Sequence, residues 1–134
     1  MNWRKDVADI EKKARSPVKV KKFDLEDRSF EFARRCRDFV KKLPKTLANM
    51  EYGRQLIKSS GSQAANYIEA NESLSKKDFL MRIKISRKET KESRLWLRLC
   101  ETNKAEELVN EQRELIQEAE ELMRIYSSIF KNSQ

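Results

Sequence analysis

The stretch decisive for the fold, residues 66–97, reads NYIEANESLSKKDFLMRIKISRKETKESRLWL. Ser75 and Asp78 match the S-x-x-D pattern of a helix N-terminus, in which two polar side chains satisfy the first backbone amides. Apolar residues recur at helical spacing on both sides of this cap, and no proline interrupts them. The stretch therefore predicts the end of one long helix, a short connection and the start of another.

Similar signals divide the rest of the chain. The predicted N-caps of four helices are Asp24, Thr46, Ser75 and Asn103. The predicted helices lie near residues 25–42, 47–72, 76–101 and 104–131. Short connections make sequential helices antiparallel, so we predict an all-α fold, an up-and-down antiparallel four-helix bundle over residues 23–134. Residues 1–22 form an extra basic N-terminal arm, whose short helical pattern needs a docking surface to be stable.

The two middle helices carry distinct predicted core faces. For the second helix we expect an inner face of Leu47, Met50, Ile57, Gly61, Ala64 and Ile68. For the third helix we expect Phe79, Ile83, Ser86, Thr90, Ser93 and Leu97. Half of the latter are small, which suits close contact with the small residues 59–62 of the second helix.

Both middle helices also carry more apolar surface than one bundle can bury. A contiguous apolar surface outside the core is typical of a subunit interface. We therefore predict a homo-oligomer with an interface that includes Tyr52, Leu56, Tyr67, Met81, Ile85, Trp96 and Leu99.

Charge is distributed unevenly along the chain. The formal net charge is +8, but residues 1–99 hold 26 basic and 14 acidic side chains, whereas residues 100–134 hold 4 and 8. A basic body followed by an acidic last helix favours two interpretations, pairing between helices and an anionic partner. Hydrated surface charge is the ordinary alternative.

The third helix concentrates its cations on one face. At 100° per residue, seven of them occupy about a third of the circumference. This basic stripe consists of Lys77, Lys84, Arg87, Lys88, Lys91, Arg94 and Arg98. Crowded like charges need an anionic partner or simple hydration. We predict that the stripe binds RNA or DNA, with a solvated face as the alternative.

The residue types needed for most catalytic sites are missing. The sequence has no histidine, no Gly-rich phosphate loop and only two cysteines, Cys36 and Cys100, which we expect to be free core thiols. We therefore expect no enzyme activity, no cofactor and no metal site. No apolar run approaches the roughly 20 residues that span a bilayer, and no signal peptide is evident, so we expect no membrane partner and a cytoplasmic location.

Residues 23–130 resemble the bacterial four-helix bundle proteins that include those encoded by intervening sequences of 23S ribosomal RNA genes. The stretches NYIEANES (66–73) and SKKDF (75–79) are the most specific parts. Members often carry glycine where this chain has Ala64 or Ala65. The resemblance implies an up-and-down bundle that assembles as a homo-oligomer, often a ring of five. A distantly similar protein, the accessory protein of diversity-generating retroelements, binds nucleic acid and a reverse transcriptase.

Three functional hypotheses follow. The leading one is a non-enzymatic homo-oligomer, a pentamer by resemblance, whose basic surface binds nucleic acid. The second is an adaptor that binds an acidic protein or a reverse transcriptase. The third is a purely structural oligomer. Contacts with nucleic-acid phosphates would make the binding affinity fall steeply with salt and depend little on base sequence. This behaviour distinguishes the first hypothesis from the others.

Overall fold

The structure, a computed structural model, describes residues 24–134, so the predicted arm (1–22) lies outside the described residues. Its four helices are α1 (Leu25–Lys42), α2 (Leu47–Asn71), α3 (Lys76–Leu99) and α4 (Glu106–Asn132). No strand occurs in this part of the chain. Sequential helices pack against each other, most extensively α2 and α3, and α1 also packs on α4. The predicted four-helix bundle is confirmed.

Three of the four predicted caps are confirmed. The side chains of Asp24, Thr46 and Ser75 each accept a hydrogen bond from the backbone N–H three residues further on. These bonds satisfy amides that have no partner within the helix.

The predicted cap at Asn103 is wrong. Asn103 and Lys104 have φ angles of 54° and 63°, in the left-handed region, and this tight turn carries the chain from α3 into α4. Asparagine tolerates this conformation better than most residues. The N-cap is Ala105, which has no side chain able to bond the helix end.

The predicted core face of α3 is confirmed, since all six of its residues are buried. The predicted inner face of α2 is confirmed only at Ala64 and is wrong elsewhere, because Leu47, Met50, Ile57, Gly61 and Ile68 are exposed. The buried residues of α2 are instead Asn49, Gly53, Leu56, Ser59, Ser60, Gln63, Ala64, Tyr67 and Ala70. The inward face of α2 thus contains many polar and small residues.

Hydrogen bonds make this polar core possible. The side chain of Gln63 donates to the Ser29 carbonyl at 2.8 Å and accepts from the Tyr126 hydroxyl at 2.7 Å. The hydroxyls of Ser59 and Ser93 lie 2.7 Å apart between α2 and α3. These contacts join all four helices, and their hydrogen bonds offset the cost of burying the polar groups.

The small residues of α2 have different roles. At Gly53, an added Cβ would lie 2.8 Å from Val40 Cγ1, so this glycine lets α1 approach closely. At Gly61 nothing lies within 4 Å of an added Cβ, and the residue is exposed. The expected close approach of α3 is therefore made by Ser59 rather than by Gly61.

Candidate nucleic-acid interface

The charge of α4 is largely matched by α1. Three α1 cations, spaced seven residues apart, meet α4 carboxylates: Arg28, Arg35 and Lys42. The seven-residue spacing places them on one side of the helix, two turns apart. We call these contacts the α1–α4 ion-pair row. The row confirms the expected pairing between helices.

The row is tightest at Arg28. Its guanidinium donates to Glu118 at 2.8 and 2.9 Å and to Glu121 at 2.7 Å, and only 16% of the side chain is exposed. These hydrogen bonds raise the pKa of Arg28 above its ordinary value, and the bond to Glu118 has the largest effect. Burial acts in the opposite direction but is outweighed. Arg35 donates to Glu111 at 2.9 Å, and the more exposed Lys42 reaches Glu107 at 3.2 Å.

The cations of the basic stripe on α3 have different surroundings. The helix carries nine basic and three acidic residues. Arg94 is half-buried and lies 3.5 Å from Glu120 of α4. The other six stripe residues are exposed, and none forms an ion pair within 4 Å among residues 24–134. The structure thus leaves most of the stripe's charge without a partner in the described chain.

The middle of the stripe forms a shallow hollow. Lys84, Arg87, Lys88 and Lys91 surround it, and with Met81 and Ile85 they line a volume of about 380 Å³. The ammonium of Lys84 lies 5.9 Å from the centre of the Phe130 ring, within cation–π range. The hollow therefore combines cations with an apolar floor.

The residues expected at an oligomer interface separate into three groups. Leu56 and Tyr67 are fully buried within the subunit's own core, so they cannot form an exposed apolar surface. Tyr52 and Trp96 are half-buried and stack on each other, with ring centroids 6.0 Å apart. Met81 and Leu99 are exposed and Ile85 is half-buried, so only the α3 part of the expected surface remains accessible.

A second apolar surface, which sequence reasoning assigned to the core, lies on α2. It consists of Met50 (57% exposed), Ile57 and Ile68, and we call it the α2 patch. Met50 and Ile57 lie one turn before and after Gly53, the residue that faces α1. On α3, the exposed apolar residues form what we call the α3 patch: Met81, Leu95 and Leu99. In the described part of the chain, the neighbouring helices α2 and α3 therefore each carry a set of exposed apolar side chains.

Neither a metal centre nor a membrane span is found in the described part. Residues 24–134 contain no cluster of three or more Cys, His, Asp or Glu side chains arranged to hold a metal ion. None of α1 to α4 combines the length and apolarity that a bilayer crossing requires.

These features define a four-helix bundle in which cations of α1 neutralise much of the acidic helix α4 and α3 carries an exposed basic face. Residues 21–128 match the family model of the 23S rRNA-intervening sequence protein. The chain belongs to this family.

A solved structure is similar to the chain. It is a protein of unknown function from the S23 ribosomal protein family of Bacteroides thetaiotaomicron, 27% identical in sequence. The match covers 79% of this chain and 97% of that one, with a TM-score of 0.66. No curated protein matches the chain.

Proposed function

We propose that the protein is a non-enzymatic homo-oligomer that binds the phosphate backbone of nucleic acid through the basic stripe of α3, in the cytoplasm. The observation that carries this proposal is a contrast in charge pairing. The acidic helix α4 meets cations of α1, whereas six cations of α3 meet no carboxylate in residues 24–134. Unmatched cations on a rigid helix attract a polyanion, and their counterions are released on binding.

The expected binding mode is readout of the backbone rather than of bases. Lys84, Lys91 and Arg98 recur every seven residues, about 10.5 Å apart along the helix axis. Lysine and arginine side chains contact phosphates without sequence preference. Affinity should therefore fall steeply with salt and vary little with sequence.

A triple charge reversal tests this proposal. We expect Lys84→Glu, Lys88→Glu and Lys91→Glu together to weaken oligonucleotide binding for all sequences and to flatten the dependence of log affinity on log salt. Each duplex phosphate contact contributes about −0.9 to that slope. The matched control is Lys41→Glu, Lys45→Glu and Lys58→Glu, an equal charge change at exposed positions outside the stripe.

Three outcomes are informative. Loss of binding in the stripe variant alone supports the proposal. Equal losses in both variants would show that net charge, not the stripe, attracts the ligand. Unchanged binding in the stripe variant would make the stripe a solvated face, and an adaptor for an acidic protein or a structural oligomer would then be favoured.

The oligomeric part of the proposal rests on the α2 patch and the α3 patch. In this proposal the α2 patch of one subunit contacts the α3 patch of the next, which is a head-to-tail contact. A head-to-tail contact forms a ring when the rotation closes. A ring, with five subunits favoured from the resemblance, would repeat in every subunit the stripe cations that this contact leaves exposed, and multivalency would strengthen the overall binding.

Mixing two variants tests this geometry. Ile57→Glu with Ile68→Glu removes the α2 patch, and Met81→Glu with Leu99→Glu removes the α3 patch. Each variant alone should sediment as a monomer, whereas a mixture should form one-to-one dimers, because one intact patch of each kind remains. Leu74→Glu, at a residue 99% exposed in a loop, is the control for added charge. Full assembly of either variant alone would contradict the head-to-tail contact.

A further inference from the structure

A groove between α3 and α4 extends the basic surface onto the acidic helix. It is open to solvent and has a volume of about 590 Å³. Arg87 and Arg94 line it from α3, and Arg124, Ser127, Ser128 and Lys131 line it from α4. Sequence reasoning assigned no ligand to α4, because the acidic composition of that helix hides two cations placed beside the stripe.

The groove is strongly cationic although one of its walls belongs to the acidic helix α4. Its lining contains four cations and one carboxylate, Glu120, which already lies 3.5 Å from Arg94. Arg87, Arg124 and Lys131 are exposed and have no ion-pair partner within 4 Å in residues 24–134. The two half-buried serines add hydroxyl groups able to donate to phosphate oxygens. Cations and hydroxyl donors on facing walls suit a phosphodiester chain.

We propose that this groove holds the backbone of single-stranded nucleic acid, an inference that rests on the proposed function and specifies its ligand. The axes of packed helices are about 8–10 Å apart, so side chains from both walls reach one strand that lies between them. A single strand can follow such a groove. A duplex is stiff over about 150 base pairs and holds its two backbones apart, so it touches only the rims.

Apolar side chains beside the groove fit the same ligand. Met123 lines the groove, and the half-buried Phe130 directly precedes the lining residue Lys131, with its ring centre 5.9 Å from the Lys84 ammonium. Proteins that bind single strands combine a cationic groove for the backbone with aromatic surfaces for unpaired bases. Bases of a duplex are stacked and unavailable for such contacts.

The test compares two double variants in the full-length protein. Arg124→Gln with Lys131→Gln removes the α4 wall of the groove, and Arg113→Gln with Lys104→Gln removes equal charge from exposed positions outside it. Anisotropy measurements would use 20-nucleotide single-stranded RNA, single-stranded DNA and duplex DNA. At 0.1 M salt we expect the groove variant to lose about 20-fold affinity for single strands. Each of the two lost contacts contributes about 0.7 to the slope of log affinity against log salt, and 0.1 M is tenfold below the 1 M reference. The control variant should lose severalfold less affinity for single strands than the groove variant.

The outcomes separate this inference from the proposed function. If the stripe triple variant weakens binding and the groove variant behaves like its control, the groove inference is wrong and the stripe still binds. If neither weakens binding, both proposals fail. If the parent prefers duplex at equal length, the assignment to single strands is wrong. If the parent binds single strands better than duplex, the inference is supported, and a preference for RNA or for DNA would identify the type of nucleic acid that the groove binds.

Discussion

Helices α1 and α3 carry cations at the same spacing and place them in opposite environments. Arg28, Arg35 and Lys42 on α1 recur every seven residues, as do Lys84, Lys91 and Arg98 on α3. The α1 set lies opposite the carboxylates of α4 and forms the ion-pair row. The α3 set forms no ion pair with any described residue.

The difference shows that a helical charge pattern has no fixed meaning. Which helix lies opposite decides whether the cations stabilise the fold or remain available to a ligand. The row should therefore affect the free energy of unfolding, and the stripe should affect binding. Both expectations concern the same residue types, so substitutions can be matched closely.

The largest expected effect on stability is at the least exposed ion pair. Arg28→Met should lower the free energy of unfolding by about 2 kcal/mol, because hydrogen bonds to charged groups contribute about 1.5–3 kcal/mol and Glu118 would remain half-buried. Urea denaturation would measure this change. Arg98→Met, at an exposed stripe position, is the control and should change stability by less than about 0.5 kcal/mol. Equal losses would remove the distinction between the two helices.

A smaller effect on stability is expected from the two buried thiols, Cys36 and Cys100. Burial raises the pKa of the Cys100 thiol to about 11, and burial raises the pKa of Cys36 further. Because the folded pKa values are raised, the stability they contribute is present below the unfolded thiol pKa and is lost as pH rises. Denaturation at pH 7 and pH 9 should show a loss of about 1 kcal/mol in total for the two thiols.

The variant Cys36→Ala with Cys100→Ala isolates that contribution. Its stability should depend less on pH over the same interval, whatever its absolute value. An unchanged pH dependence would show that the thiols ionise equally well in both states, which contradicts their burial.

The smallest expected effect lies at the exposed end of the row. Lys42 is 51% exposed on its side chain and pairs with the more exposed Glu107. Exposed pairs contribute about 0–1 kcal/mol, so Lys42→Met should cost less than about 0.5 kcal/mol in urea denaturation. A loss as large as that of Arg28→Met would indicate that burial does not determine the strength of the row.

The fold was largely predictable because local signals agreed. Three caps and the core face of α3 follow from short-range patterns that the structure confirms. The Asn103 cap failed because asparagine suits both a helix cap and a left-handed turn, and the sequence does not distinguish them.

The error on α2 has a different cause. Hydrophobic periodicity selects the face of α2 with the largest apolar residues. In the structure, however, Gln63 and Ser59 of α2 face the core of the bundle, while Ile57 and Ile68 are exposed. Their hydrogen-bond partners, such as Tyr126 and Ser93, lie on other helices and have no signature within α2. The candidate site was predictable in part for the same reason: the stripe belongs to one helix, whereas the groove needs two.

The most direct test compares two matched triple variants, Arg28→Gln, Arg35→Gln and Lys42→Gln against Lys84→Gln, Lys91→Gln and Arg98→Gln. Both remove three positive charges at seven-residue spacing. For each, the unfolding free energy and the affinity for a single-stranded oligonucleotide would be measured in the same buffer. We predict that the α1 variant loses stability and keeps the affinity of its folded form, whereas the α3 variant keeps stability and loses affinity at least about tenfold. Equal losses of affinity would contradict the account, because net charge rather than helix placement would then govern binding.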